Sequence, residues 1–540
     1  MKYFIFLILS FLFNAQVIAQ EWNYTADILE KKNENNREVR IFKSNNIGNK
    51  QVVIYNDTLF IYTNQAKQYV DTQELHLIGP VTMINGKDSL NCDNMIFWYE
   101  LDSLHAFGDV NFKFKKNILE TDSLIYVQTN GFRGYSFLAT NKAKFIDPEY
   151  SIEAEAIEYN DLNQRMILKN DVNIISENQG AMGNFINLTF QDSLINEMLI
   201  KSEAYIYNNH YAKVNLGALQ LFKDEINGSH IKANFDGKNL DEIQVEGMAE
   251  SKYYVVNDST FLMGFNESTG DTMNFKYDGQ NIEQIFITGD ARGLFFPEKG
   301  KTKLDSTLIY QANKINYKIN EQITHLEDDV KITYQKTELS SSLVDVDWKN
   351  NLLYAHSKDS SAAKIISQNQ KPMLGDKLEF DLINKKGVIN LGETTVRDGI
   401  YKSETIFRED PNIYHMDKSI YTTCDHEHPH YYFRSPKMKM IQGERIITRP
   451  LYLFIYDIPV IGLPFAILPS TSGGRQSGWI MPSFGVSNSN GTFFQKLGYY
   501  WAPNDYMDGK VLMDFYDEDR IEFNSSLRYV KRYKYNGNIS

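Results

Sequence analysis

The sequence predicts an all-β chain in two parts, a long array of repeated strands followed by the opening strands of a membrane β-barrel. Three observations carry this. Helical periodicity is nearly absent, while aromatic residues reach 13% among many Val, Ile and Thr, the residue types that suit a pleated half-buried surface. A motif built from a turn residue and a small or β-branched residue recurs at spacings of 29 to 45 residues along the first 400 positions. Nine of the 13 prolines fall after residue 410, so the Pro-poor first part suits uninterrupted ladders and the second part does not.

The 540 residues exceed what one core organises. A net charge of −13 removes the basic footprint that phosphate neutralisation needs, so nucleic acid is excluded as a partner. A mean hydropathy of −0.42 excludes a bundle of membrane helices but not a barrel, whose strands alternate.

Residues 1–19 have the form of a secretory signal peptide. Lys2 supplies the positive end, residues 3–13 form an apolar run too short to span as a helix, and Val17, Ile18 and Ala19 form a small-residue cleavage site. The mature chain then lives outside the cytoplasm, where Cys92 and Cys424, its two cysteines, are candidates for a disulfide.

The repeat is anchored at Val81, Val110, Ala143, Val172, Ala204, Ala249, Ala291, Val330 and Ala363, each two residues after a Gly, Asp, Asn or Ser that marks a turn. The gaps are 29, 33, 29, 32, 45, 42, 39 and 33 residues. Alternating segments such as 343–347 and 377–381 supply further strands between anchors. Each repeat is read as two to four short strands that bury their apolar face only by stacking. The array is divided into a first unit over 20–230 and a second over 231–410, with a connecting segment at 411–449. Phe112, Ile174 and Ile332 point inward and Lys113 and Lys331 outward, so the first three are candidate lining residues of an apolar groove.

Residues 450–540 are read as the N-terminal part of the barrel. Pro459 and Pro464 break the apolar run 451–468 and rule out a straight helix. Farther on, Ile521, Phe523, Leu527 and Tyr529 alternate with Glu522, Asn524, Ser526 and Arg528 over a length that suits one tilted membrane strand.

His426-Glu427-His428-Pro429-His430 satisfies a two-His zinc signature in letters, but that chemistry needs a helix and Pro429 forbids one. A looser set of Cys424, His426, His428 and His430 is the alternative, and the segment is read as an exposed polar loop without a metal. No nucleophile elbow, phosphate loop or dinucleotide fingerprint is present, so no enzyme activity and no cofactor are expected.

From Tyr421 onward the chain resembles the LptD (OstA) family of outer-membrane lipopolysaccharide-assembly proteins. The residues are Tyr421-Thr-Thr-Cys424, Pro459-Val-Ile-Gly-Leu-Pro464-Phe, Pro469, Arg475-Gln-Ser-Gly478-Trp-Ile-Met-Pro482, Gly491 and Tyr499-Tyr-Trp501-Ala-Pro-Asn-Asp505, in the family's order and spacing. The upstream repeats look like the OstA/LptA-like β-jellyroll of that family. The resemblance implies a groove that accepts lipopolysaccharide from an LptA-like periplasmic bridge, and delivery through a lateral gate in the barrel to the outer leaflet. It implies an LptE-like plug lipoprotein and outer-membrane lipid as further partners, and an outer-membrane location with the N-terminal part in the periplasm. Pro469 and Pro482 match the positions where the family weakens strand pairing at its barrel seam. The sequence stops after about four barrel strands and is expected to be a truncated piece, and no cysteine follows Cys424 to form the family's disulfide with the late barrel. The rival reading is a secreted β-solenoid that binds or cleaves polysaccharide.

Overall fold

A computed structural model describes residues 22–540 except 35–36, 46–50, 57, 115, 130–133, 193, 215–216, 238, 258, 280, 303, 359–361, 368–370, 397–398, 470–476, 481–482, 488–490 and 517–519. The expected signal peptide at 1–19 lies outside the described residues. Every α-helix or β-strand element among the described residues is a strand. The chain forms two compact units, one of residues up to Thr302 with Asn316–Glu321, the other of Lys303–Ile315 and the residues from Gln322 on.

The first unit is an antiparallel meander. From Glu74–Asn85 to Asn281–Pro297, each strand pairs with the one before and the one after it. Ladders of antiparallel strands are not the parallel coils of a solenoid, so the solenoid reading fails on register.

The repeated motif is not a turn between short strands, as the spacing suggested. It is a bend inside long ones. At Gly108-Asp109, Asn141-Lys142, Asn170-Asp171, Ser202-Glu203, Gly247-Met248 and Gly289-Asp290, two successive residues carry positive φ between 41° and 80°. The ladder register shifts at the same places, for example between Thr140 and Ala143 and between Lys169 and Val172. Two residues in this left-handed region bend the strand without reversing it, and Gly, Asn and Asp reach the region at least cost. The anchor after each bend then turns inward: Val110, Ala143, Val172, Ala204, Ala249 and Ala291 are all buried, as is Val81 after the single positive-φ Gly79. Small and β-branched residues recur there because the bend crowds the interior.

At Gly289 (φ 77°) the bend needs glycine twice over. A Cβ there would lie 2.6 Å from Cβ of Asp271 on the adjacent strand, in addition to the backbone strain. Gly108 stands in the same relation to Asp93.

The second unit begins with the same device, Asp328-Asp329 (φ 60° and 53°) ahead of buried Val330. Its strands from Ile323–Tyr334 to Ala466–Pro469 are shorter and more often split, with Gly399–Asp410, Ile413–Thr422 and Tyr431–Ile441 forming a regular three-strand ladder over Tyr401, Ile406, Met416 and Met438. A separate antiparallel sheet follows, in which Gly478–Ile480 and Ser483–Ser487 both pair with Gly491–Asn504. Met507–Tyr516, Arg520–Lys531 and Tyr535–Ile539 continue it in order. Its register places Phe515 opposite Ile521 and Met513 opposite Phe523 on one face, and Lys510 opposite Ser526 and Asp508 opposite Arg528 on the other. Ile521 is 55% and Phe523 71% exposed, so the apolar face is open at these positions.

Gly289→Ala is expected to destabilise the protein by about 2–3 kcal/mol, against about 1–2 kcal/mol for Gly300→Ala, which shares the positive φ but meets no neighbour. Chemical denaturation measures both. Equal losses would mean that the Asp271 contact contributes nothing.

Candidate functional site

Five consecutive strands of the first unit outgrow the rest. Leu194–Lys213, Leu219–Asp236, Asn239–Val256, Leu262–Asp278 and Asn281–Pro297 run 17 to 20 residues, whereas the seven from Asp88–Trp98 to Gln179–Gln191 run 11 to 13. The extra length lies beyond the bends. There the first two strands stay paired to Lys213 and Leu219, and the third and fourth to Val256 and Leu262. Between the second and third, however, the register ends at Glu225 opposite Lys252. The two hairpins part at that point and meet again near their tips, where the Lys213 N–H donates to the Thr260 carbonyl at 2.8 Å.

A cavity of about 400 Å³ occupies this part of the unit. Met198, Ile206, Leu240, Ile243, Phe275 and Ile282 contribute its apolar lining. His210, Asp224, Tyr253 and Tyr277 contribute polar groups. By contrast, a cavity of the second unit near Phe380 and Arg408 measures about 20 Å³, room for one water.

The parted strands leave backbone groups without ladder partners, and a side chain takes over. The Tyr254 N–H donates to Asp224 Oδ1 at 2.9 Å. Asp224 Oδ2 lies 3.2 Å from His210 Nδ1. On the cavity's other charged residues, the Tyr205 hydroxyl donates to Glu225 at 2.6 Å, and that bond, with the nearby Lys223 ammonium, holds the Glu225 carboxyl below its ordinary range. Lys252 is 3.2 Å from Glu267 and stacks over the Phe265 ring at 4.5 Å. The phenols of Tyr253 and Tyr277 are pushed up chiefly by burial and further by the charge of Asp224. Among the described residues neither hydroxyl has a hydrogen-bond partner.

The residues expected to line a groove lie elsewhere. Phe112, Ile174 and Ile332 do face inward, but they are 4%, 0% and 1% exposed, packed in closed interior. Lys113 and Lys331 point outward as expected. Cys92 is buried and Cys424 half-buried, and both are free thiols. Burial pushes the Cys92 thiol up to about 12, so it is inert as a nucleophile. Cys424 Sγ is 3.5 Å from His430 Nδ1 in a stretch of bends, and no group of three His, Cys, Asp or Glu among the described residues is arranged for a metal. Pro469 ends the Ala466–Pro469 strand opposite Arg445, while Pro482 lies outside the described residues. Sequence reasoning missed Asp224, Tyr253 and Tyr277. Their signal was the widening of the anchor gaps to 45, 42 and 39 residues, which is the extra length of these hairpins.

Residues 446–540 match the family described as LptD protein. The LPS-assembly protein LptD of Xanthomonas oryzae pv. oryzae (strain MAFF 311018) is 32% identical over 117 residues, 21% of this chain and 14% of that protein. That of Aromatoleum aromaticum is 26% identical over 125 residues, 23% of this chain and 15% of the relative, and that of Pasteurella multocida 28% over 138 residues, 25% and 17%. The chain therefore matches about a seventh to a sixth of the length of these relatives. Among solved structures, Pseudomonas aeruginosa LptH, described as the LptA homologous periplasmic component of the lipopolysaccharide transport device, aligns over 94% of its own length and 27% of this chain, at 16% identity and a TM-score of 0.21.

Ile174→Ala should cost about 2–5 kcal/mol in chemical denaturation, as expected for a fully buried side chain in a close-packed interior. A loss below about 1 kcal/mol would show that the interior there is open rather than sealed.

Proposed function

We propose that this chain carries lipopolysaccharide toward and into the outer membrane and that it is a transport protein rather than an enzyme. The observation that carries the reading is one arrangement within one chain: a β-array whose apolar interior opens into a 400 Å³ cavity, followed by a segment that matches LptD. The energetics supply the reason for such an interior. Burying one CH₂ is worth ~0.8 kcal/mol, so a 14-carbon acyl chain left in water costs roughly 10 kcal/mol, and a lipid with several chains needs apolar surroundings along its path.

In this reading the first unit and the start of the second are jellyroll-like and sit in the periplasm. They receive the lipid from an LptA-like bridge, and Phe112, Ile174 and Ile332 border the path when the closed interior parts around a chain. The sheet from residue 478 on belongs to an outer-membrane barrel with an LptE-like plug. Its two-faced strands support this, with Ile521 and Phe523 toward lipid and the Asp508–Arg528 pair, 2.9 Å apart, on the polar side. Pro469 and Pro482 weaken the seam through which the lipid leaves, because each lacks the N–H that a ladder bond requires.

Two experiments test this. Photo-crosslinkers at Phe112, Ile174, Ile332 and the cavity residue Ile243 should trap lipopolysaccharide, whereas those at Lys113 and Lys331 should not. Equal labelling of both sets would mean that no lipid travels inside. Replacing Pro469 and Pro482 together by Ala should restore two ladder bonds, each worth about 0.5–1.5 kcal/mol, and slow lipopolysaccharide arrival at the cell surface at unchanged protein level. Normal arrival would leave both prolines as turn residues.

A further inference from the structure

The cavity between the parted hairpins is not a uniform apolar slot. Its apolar lining is interrupted by polar residues, Gln179, Asn208, Ser251, Asn281 and Asn320 among them, and by a cluster of Asp224, His210, Tyr253 and Tyr277 whose chemistry is selective. Asp224 uses one oxygen for the Tyr254 N–H and lies near His210 with the other, which leaves lone pairs of the carboxylate available, since a carboxylate accepts at about four sites. Tyr253 and Tyr277 line the same cavity, and among the described residues their phenol hydroxyls have no hydrogen-bond partner. Both residues are half-buried, so two phenol donors beside one void are available to whatever enters it. The remaining charges on the lining are already engaged: Glu225 with Tyr205 and Lys223, and Lys252 with Glu267 and the Phe265 ring. No free cation among the described lining residues faces the void.

We infer that this cavity binds an uncharged, hydroxyl-bearing part of an amphiphile, a sugar or a hydroxylated acyl chain, and that it discriminates against a phosphate or carboxylate in the same place. The inference rests on the lipid-transport reading and adds to it the chemical class that the cavity selects. A hydroxyl both donates and accepts. It can give its proton to Asp224 and receive one from Tyr253 or Tyr277, while its hydrocarbon neighbours lie against Ile243 and Phe275. An anion offers acceptors alone. It could use the two phenols but would stand beside the Asp224 carboxylate in surroundings of low dielectric, where like charges repel strongly. Both phenols stay protonated, and therefore remain donors, because burial and Asp224 oppose their ionisation.

The test compares three ligands of one chain length, octyl β-glucoside, octyl phosphate and octanol, below their micellar concentrations, on the full chain held in amphipol. Each competes against the neutral fluorophore N-phenyl-1-naphthylamine, whose emission rises in apolar surroundings. Octyl glucoside should displace the probe at a concentration at least tenfold below that of octyl phosphate. The double variant Tyr253→Phe, Tyr277→Phe, which keeps both rings, should weaken the glucoside about tenfold and leave octanol unchanged. Asp224→Asn should strengthen the phosphate about tenfold relative to the glucoside. Octyl phosphate competing as well as the glucoside in the unaltered chain would overturn the inference, as would a ratio that all three substitutions leave unmoved. If all three ligands compete equally, the selectivity falls and the lipid-carrying reading stands. If none displaces the probe, both fall together.

Discussion

Every second strand of the array, from Ser103–Phe114 to Asn281–Pro297, is bent by two successive residues in the left-handed region, and the architecture of the first unit depends on that bend. A straight antiparallel meander of this many strands would be an open sheet with two faces, only one of which could be covered. The double bend, repeated at Gly108-Asp109, Asn141-Lys142, Asn170-Asp171, Ser202-Glu203 and onward, lets the strand that carries it turn toward the interior while its ladder continues on both sides. The anchors that follow are valine or alanine and are buried. Replacing them with larger residues would overpack the crease. The neighbouring strands contribute the other half of the fit, as where Asp93 lies against Gly108 and Asp271 against Gly289.

What the bends produce differs along the array. Where the strands run 11 to 13 residues, the interior closes over Phe112, Phe145, Ile152 and Ile174. Where they run 17 to 20, the added lengths separate into two hairpins, and one side chain, Asp224, satisfies a backbone N–H that the lost ladder would have left bare. The cavity is therefore a consequence of strand length together with one well-placed carboxylate. The polar groups that come with it are costly to bury, and they distinguish this part of the interior from the closed part in chemistry as well as in volume.

Much of this was legible in the residues. Alternation at 343–347 and 521–529 indicated strands, and those segments are strands with the expected faces. The anchors, read as small or β-branched residues that open a strand, are buried in the first unit. Their preceding residues were misread as turns, because Gly, Asn and Asp mark any positive φ, whether the chain reverses or merely bends. Ile174, expected to line a groove from its apolar alternation, is fully buried, and alternation reports which face is buried without saying whether that face encloses space. The cavity's own residues carry no motif. Asp224, Tyr253 and Tyr277 are spread over 54 positions and come together only through a register that ends at Glu225 and Lys252. The widened gaps marked their place but not their chemistry.

The central claim is that the interior of the first unit opens around an acyl chain. A structure of the chain purified with bound lipopolysaccharide tests it most directly. The account predicts continuous density for hydrocarbon between the parted hairpins, against Ile243 and Phe275, with a hydroxylated group within hydrogen-bond distance of Asp224, Tyr253 or Tyr277. Lipid density confined to the outer face of the array, with only water in the cavity, would contradict it.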